Sequence, residues 1–230
     1  MILESLENVK IPQNHVIVKL PDTYKMMLNN EVSIRGISIK THFEPATHAP
    51  RYGTVAVVPE KLVFGVGGMG WKTDMEVQAG DTVWFNYLIC LMALGKLLNP
   101  HYTNPEKNYI IVGEDIYVIL PYEGLIVAKR GGDVICLNSY VIGEQQYEAQ
   151  SNIIITEPKK TGWVKVLHFG NPVTEYFNDS VETEDISVND IVLINKKLAE
   201  KLENGLTNTF DKRELIFFQR RQIYAKKMLN

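Results

Sequence analysis

The sequence predicts an all-β fold made of two small domains in tandem. Two observations predict it: short phrases in which β-branched and aromatic residues alternate, and the recurrence of one turn-plus-strand phrase late in the chain. Residues 77–86 read VQAGDTVWFN, and residues 186–195 read ISVNDIVLIN. Period-2 alternation is typical of half-buried strands, and Gly or Asn before Asp favours a tight turn because both tolerate positive φ.

Further phrases recur in the same order along the chain. Residues 14–18, 36–40, 52–57 and 125–129 match residues 138–142, 152–156, 161–166 and 221–226. The separation between matching phrases shrinks along the chain, as expected when the first copy carries longer loops, because loops tolerate insertions. We therefore predict a first domain of residues 1–135 and a second of residues 136–230.

Helical periodicity is confined to two short inserts. Residues 88–98 read LICLMALGKLL, and residues 196–204 read KKLAEKLEN before Gly205. A glycine after the last periodic residue is a common helix terminator. Each insert follows the same predicted strand of its copy, so short helices occupy equivalent positions in the two domains.

Composition limits the classes of partner. With 230 residues, 45% of them hydrophobic, the chain can bury a substantial core. The net charge of −3 gives no overall basic field, so no nucleic-acid partner is expected. The apolar run at residues 88–98 is about half of the roughly 20 residues that a membrane-spanning helix needs, so no membrane partner is expected. Cys90 and Cys136 lie far apart, without a signal peptide before them, which indicates unpaired thiols in a reducing compartment.

The residues favour no catalytic site, cofactor or metal. Residues 65–70 satisfy the GxGxxG pattern of dinucleotide-binding proteins, but no βαβ unit is predicted around them, so a glycine loop between strands is preferred. No G-x-S-x-G phrase occurs, and the histidines show no metal-ligand spacing. The histidines are His15, His42, His48, His101 and His168.

The succession of phrases resembles the ten-kilodalton co-chaperonin family, the GroES-like fold, and does so twice. The matching phrases are residues 16–19, 36–39, 53–55, 77–85 and 126–128, then residues 140–142, 153–155, 162–164, 188–194 and 223–225. The resemblance implies two tandem, partly open β-barrels without a catalytic centre, as in the double co-chaperonins of plastids. Zinc alcohol dehydrogenases share such a domain, but they add a Rossmann domain and Cys and His zinc ligands that this chain lacks.

The resemblance also implies docking through a loop with an apolar tripeptide. By position, the tripeptides are Ile37, Ser38 and Ile39 in the first copy and Ile153, Ile154 and Ile155 in the second. Burying one Ile gains about 1.5–3 kcal/mol, whereas ordering a loop costs about 1–2 kcal/mol per residue. One loop therefore binds weakly, which predicts a homo-oligomer or a place in a large assembly. Alternatively, these residues are ordinary strand positions facing a core.

Two inserts in the first copy depart from the family pattern, at residues 63–73 and 88–108. The second lies where a co-chaperonin has its roof hairpin, and its apolar residues are either an interface or part of the domain's own core. A protein that caps a folding chamber needs a polar inner surface, because an apolar one would bind the unfolded client.

The leading hypothesis is therefore a structural or auxiliary protein of a large symmetric shell, such as a phage capsid, located in the virion. The alternative is a cytoplasmic co-chaperonin that caps a chaperonin ring. The predicted interface residues are Leu88, Ile89, Leu91, Met92, Leu94, Leu97 and Leu98.

Overall fold

A computed structural model describes residues 2–7, 9–22, 31–34, 37–40, 50–98, 108–147, 160–177, 185–195, 210–211 and 215–227. Strands dominate these residues, which confirms the all-β class. The chain divides into two compact units. The first comprises Met1–Met69 and Asp74–Gly132, and the second comprises Gly70–Thr73 and Asp133–Asn230.

Seventeen strands and one α-helix lie in the described part of the chain. The strands are β1 (Ile2–Leu3), β2 (His15–Lys19), β3 (Glu31–Ile34), β4 (Ile37–Lys40), β5 (Tyr52–Val57), β6 (Trp71–Lys72), β7 (Thr82–Phe85), β8 (Tyr109–Val112), β9 (Asp115–Pro121), β10 (Leu125–Arg130), β11 (Asp133–Cys136), β12 (Tyr140–Tyr147), β13 (Lys160–Phe169), β14 (Thr174–Glu175), β15 (Ile191–Ile194), β16 (Leu215–Gln219) and β17 (Ile223–Lys226). The helix, α1, spans Tyr87–Leu98 between β7 and β8. Among the described residues, no helix has the length and apolar character needed to cross a membrane.

Each unit contains one main sheet. In the first unit the strand order is β1-β8-β9-β2-β5-β7-β10, and only β1 and β8 run parallel. In the second unit the order is β16-β12-β13-β15-β17, with every pair antiparallel. Strands β3 and β4 pair with each other, as do β6 and β14. Both main sheets are open, so the predicted closure into two barrels stays a prediction.

The two units share one five-strand topology. The order β9-β2-β5-β7-β10 in the first unit corresponds strand by strand to the order β16-β12-β13-β15-β17 in the second. A 3-10 turn at Tyr122–Gly124 joins β9 to β10 in the first unit, and a 3-10 turn at Arg220–Gln222 joins β16 to β17 in the second. Register irregularities also recur, within the β2/β5 and β12/β13 pairs and within the β7/β10 and β15/β17 pairs.

Backbone hydrogen bonds fix the correspondence between the units residue by residue. The Val55 N–H donates to the Asp81 carbonyl at 2.8 Å, and the Val166 N–H donates to the Asp190 carbonyl at 2.9 Å. Val166 is therefore the counterpart of Val55. Aligning the phrases at residues 52–57 and 161–166 by sequence instead places Val164 opposite Val55, which is wrong by two residues. A shift of two residues keeps each side chain on its own face of the sheet, so the hydrophobic pattern alone does not detect it.

The core of each unit consists of aliphatic and aromatic residues from the sheet. In the first unit the 3% exposed Trp84 and the fully buried Tyr122 lie among them. In the second unit the buried cluster comprises Val141, Val164, Val166, Ile186, Val192, Ile194, Ile216, Phe218 and Ile223.

A strained turn joins β11 to β12 in the second unit. Asn138 and Ser139 both have positive φ, 51° and 61°, and the Tyr140 N–H closes the turn on the Leu137 carbonyl at 2.9 Å. Two successive positive φ angles are typical of type I′ hairpin turns, where Gly usually follows Asn. Ser139 is 1% exposed, and its hydroxyl has no hydrogen-bond partner among the described residues.

We expect Ser139→Gly to raise the free energy of unfolding by about 1 kcal/mol, because it relieves the left-handed backbone and removes an unsatisfied buried hydroxyl. Urea unfolding followed by circular dichroism measures the change. Asn138→Gly is the matched control. It removes a side-chain oxygen that accepts a hydrogen bond from Trp71 Nε1 at 3.1 Å, so we expect no gain from it. Equal stabilisation by both variants would contradict this account.

Candidate docking sites

The first predicted docking tripeptide lies in a β-hairpin. Ile37, Ser38 and Ile39 belong to β4, which pairs with β3 across residues 35 and 36. Their register partners are Ile34, Ser33 and Val32, and Glu31 pairs with Lys40.

This register separates the hairpin positions into two faces. Directly paired residues belong to the same face of an antiparallel ladder, as do alternate residues along one strand. One face therefore contains only β-branched apolar positions, and the other contains two serines and a pair of opposite charges. The apolar positions are Val32, Ile34, Ile37 and Ile39, and the polar positions are Glu31, Ser33, Ser38 and Lys40.

The second predicted tripeptide, Ile153, Ile154 and Ile155, lies outside the described residues, as does the predicted helix at residues 196–204.

Helix α1 has one buried face and one exposed stripe. Cys90, Ala93 and Leu94 are at most 3% exposed, so this face packs within the first unit. Leu88 is 51% exposed and Met92 is 58% exposed. Ile89 and Leu91 are half-buried, and the backbone of Leu97 and Leu98 ends the helix. The predicted apolar insert therefore combines both interpretations, because one face completes the unit's own core and the other does not.

Asn86 and Gly124 hold the first turn of α1 in place. The Asn86 side-chain oxygen accepts a hydrogen bond from the Leu88 N–H at 2.9 Å, which caps one unpaired donor of the helix start. Ile89 packs so closely on Gly124 that a Cβ at Gly124 would collide with the Ile89 Cδ1 atom. At the other end, Gly95 has non-helical angles, φ 21° and ψ −93°, and kinks the helix.

The glycine-rich segment at residues 63–70 is a tightly bonded loop. The Met69 N–H donates a hydrogen bond to the Val63 carbonyl at 2.9 Å. The side-chain amide of Asn14 accepts a hydrogen bond from the Val63 N–H at 2.7 Å and donates one to the Val63 carbonyl at 2.8 Å. At the tip, Val66 is 93% exposed. Strand β6 follows directly, so the segment does not open a helix whose N-terminus could bind a pyrophosphate.

Strand β6 belongs to the second unit through Trp71 and Lys72. Trp71 Nε1 donates to Asn138 Oδ1, the Arg221 guanidinium carbon lies 5.8 Å from the indole centroid, and Lys72 Nζ lies 5.6 Å from the Tyr176 ring centroid. Next to Tyr176, the Phe177 ring is 77% exposed. Sequence reasoning did not single out Val66 or Phe177, because one apolar residue within a polar loop gives no periodic signal.

The described residues contain no group of three or more His, Cys, Asp or Glu side chains placed to hold a metal ion. His42, His48 and His101 lie outside those residues. Cys90 and Cys136 are both buried and form no disulfide. Burial raises the pKa of the Cys90 thiol well above its ordinary value, which keeps it protonated at neutral pH.

No protein-family model matches the chain, and comparison with curated proteins gives no match. The features of the molecule that bear on function are the duplicated topology and the two apolar surfaces of the first unit, on the β3–β4 hairpin and on α1.

Proposed function

We propose that the protein is a non-enzymatic assembly protein of two tandem GroES-like, partly open β-barrels, and that it is a structural or auxiliary component of a large symmetric shell such as a phage capsid. It would then be located in the virion. The partner is protein, docking uses apolar segments, and neither cofactor nor catalytic centre is part of the proposal.

The duplicated topology supports the barrel assignment. Five strands follow the same order in both units, with bulges and a 3-10 turn at matching places. Such agreement across distant parts of the chain is expected of two copies of one domain. Eight of the ten phrases that resemble the GroES-like family lie on these strands or on the turns that lead into them, which supports a link between the shared topology and that family. Of the other two, residues 37–39 belong to β4, and residues 153–155 lie outside the described residues.

The observation that carries the docking role is the register of the β3–β4 hairpin. The hairpin lies between β2 and β5 of the first unit, where the resemblance places a docking loop, and among the described strands β3 and β4 pair only with each other. Its apolar face has four β-branched positions, which could contribute about 1.5–3 kcal/mol each on full burial. The cost of fixing the hairpin on a partner consumes much of that gain, so firm binding needs several hairpins on one symmetric body.

The exposed stripe of α1 favours a shell over a chaperonin lid. This helix follows β7, where the resemblance places the roof of a co-chaperonin. Leu88 and Met92, each more than half exposed, would meet unfolded clients in a folding chamber. In a shell, a neighbouring subunit can bury them permanently. The hairpin alone suits both functions equally, so a co-chaperonin that caps a chaperonin ring is the second candidate.

A pair of adjacent substitutions tests docking by the hairpin. We expect Ile39→Asp to lower recovery of the protein with sedimented particles at least tenfold, because it places a charge on the apolar face. Ser38→Asp is the matched control on the opposite face of the same strand, and it should co-sediment like the unmodified protein. Quantitative mass spectrometry of particles from native lysate measures both.

The same experiment separates the two candidate functions. Coat-protein peptides in the sedimented fraction support the shell, whereas chaperonin peptides alone would exclude it in favour of the lid. If Ile39→Asp and Ser38→Asp behave alike, the hairpin is not the docking element.

A further inference from the structure

Strand β6 belongs to the second unit, although the residues on both sides of it belong to the first. Residues 70–73 are part of the second unit, whereas Met69 and Asp74 are part of the first. We propose that two copies of this chain exchange this segment, so that β6 of each copy pairs with β14 of the other. The inference does not depend on the proposed shell, and it concerns a contact other than docking by the hairpin.

The site that receives β6 is built by residues of the second unit. Both residues of β6 pair in antiparallel register with both residues of β14. The Tyr176 N–H extends this short ladder by donating a hydrogen bond to the Gly70 carbonyl at 2.9 Å. A ladder of this length needs side-chain contacts as well, because two strands alone are marginally stable in water.

The side chains of β6 also contact the second unit. Trp71 Nε1 donates a hydrogen bond to Asn138 Oδ1 at 3.1 Å, and the Arg221 guanidinium carbon lies 5.8 Å from the indole centroid. Lys72 Nζ lies 5.6 Å from the Tyr176 ring centroid. These partners all belong to the second unit. A second copy offers the same partners in the same arrangement, so exchange preserves each of these contacts.

Two glycines form the hinge that exchange requires. Apart from residues 70–73, the chain passes between the units once, from Gly132 to Asp133. Gly131 and Gly132 are both exposed, and a Cβ on either would meet no atom within 4 Å. This open turn can therefore extend, which frees the second unit to receive β6 from another copy.

Protein concentration and hinge strain decide between the closed monomer and the exchanged dimer. Because exchange preserves the contacts of β6, the closed monomer is favoured by the covalent link between its units. A short link corresponds to an effective concentration in about the millimolar range, so dimers of the unmodified protein are expected as that concentration is approached. An assembly that holds copies side by side favours the dimers further.

A hinge substitution tests the proposal. Gly131 has a φ of 60°, which a β-branched residue adopts only with strain, whereas the φ of Gly132 lies outside the left-handed region. We expect Gly131→Val to strengthen dimerisation at least about tenfold, because the exchanged dimer relieves the strain at two hinges. Gly132→Val is the matched control and should dimerise within about threefold of the unmodified protein. Analytical ultracentrifugation over a concentration series measures all three proteins.

Chemical cross-linking shows whether the dimers have exchanged β6. Lys72 and Thr174 pair directly across the ladder, so cysteines at these positions lie within reach of a short bis-maleimide. A chain with Lys72→Cys and a chain with Thr174→Cys are mixed, unfolded in urea and refolded together, with the hinge unmodified or with Gly131→Val in both chains. We expect a covalent heterodimer with either hinge and several times more of it with Gly131→Val. Cys90 and Cys136 are buried and should not react.

Two controls accompany the cross-linking. A chain with both Lys72→Cys and Thr174→Cys should cross-link within itself at low concentration, which verifies the reach of the reagent. Lys72→Cys mixed with Val188→Cys should give no heterodimer above background, because Val188 lies exposed on the second unit outside β14. The proposal is wrong if Gly131→Val dimerises no better than Gly132→Val. It is also wrong if Thr174→Cys gives no more heterodimer than Val188→Cys.

Discussion

Gly53→Val is expected to destabilise the first unit by about 3 kcal/mol, and Val18→Gly by a similar amount. The variant that carries both substitutions is expected to lose at least about 2 kcal/mol less stability than the sum of the two single losses. A Cβ at Gly53 would collide with the Lys19 carbonyl oxygen and lie 2.6 Å from Val18 Cγ1. Val18→Gly removes the second of these collisions, whereas the Lys19 carbonyl must shift in the single and the double variant alike.

The second unit holds the reversed arrangement. Gly143 on β12 occupies the position of Val18, and Val164 on β13 occupies the position of Gly53, as the paired registers show. A Cβ at Gly143 would collide with Val164 Cγ1 and lie 2.7 Å from the Lys165 carbonyl oxygen. Each unit therefore has one valine and one glycine at this crossing, on opposite strands.

Urea unfolding of the unmodified protein, both single variants and the double variant measures the coupling. Thr54→Val, on an exposed position of β5, is the control for adding a valine to the strand without a collision. Strictly additive costs would show that the two positions do not share one space.

Asp81→Ala is expected to lower the free energy of unfolding by about 2 kcal/mol, and Asp190→Ala by about 1 kcal/mol. Asp81 is 2% exposed. Its carboxylate accepts hydrogen bonds from Arg130 Nε and Nη2 at 2.9 and 2.8 Å and from the Gln78 N–H at 2.9 Å. Removing it leaves the Gln78 N–H and the half-buried Arg130 guanidinium without this carboxylate.

Asp190 makes the matching contacts, but its carboxylate is more exposed than that of Asp81. Its carboxylate accepts a hydrogen bond from the Ser187 N–H at 2.7 Å and forms an ion pair with Lys226 Nζ at 2.7 Å. The Asp190 side chain is 15% exposed and the Lys226 side chain is 32% exposed. Asp190 accepts fewer hydrogen bonds than Asp81, and water can replace them more readily at its more exposed carboxylate, which explains the smaller expected cost. Unfolding of the two variants in parallel measures the difference, and a larger loss for Asp190→Ala would contradict the role of burial.

The two carboxylates also predict the response to acid. Burial alone would raise the pKa of Asp81, but the hydrogen bond from Arg130, the Gln78 N–H and the Arg130 charge together hold its pKa below the ordinary value. The pKa of Asp190 is lowered against burial in the same way by Lys226 and the Ser187 N–H. The stabilisation is therefore present above the ordinary pKa, near 4, and is lost as pH falls through the lower folded-state values. Asp81→Asn should flatten the decline in unfolding free energy as the pH falls below about 4, which urea unfolding over a pH series measures.

The sequence allowed the fold class and the repeated turn to be predicted, because local patterns determine both. The Gly80-Asp81 and Asn189-Asp190 turns follow from residues that tolerate positive φ, and both first residues have it, at 94° and 75°. The pairing of Asp81 with Arg130 joins residues 49 positions apart. No local pattern indicates it.

The candidate site was predictable only in outline. An apolar segment such as LICLMALGKLL shows that α1 needs cover, but no polar residue before Lys96 indicates which face the unit itself covers. The structure assigns Leu94 to the inside and Met92 to the outside. For the tripeptide at residues 37–39, alternation predicts a strand, whereas its apolar face becomes defined only by pairing with β3.

The pairing of β6 with β14 makes the second unit discontinuous in the gene. Trp71 and Lys72 are encoded within the first half of the chain, yet they pair with Glu175 and Thr174 of the second. A cassette that encodes residues 133–230 alone would omit a strand and the indole that meets Asn138. Recombination can therefore transfer the second unit complete only if Gly70–Thr73 is transferred together with residues 133–230.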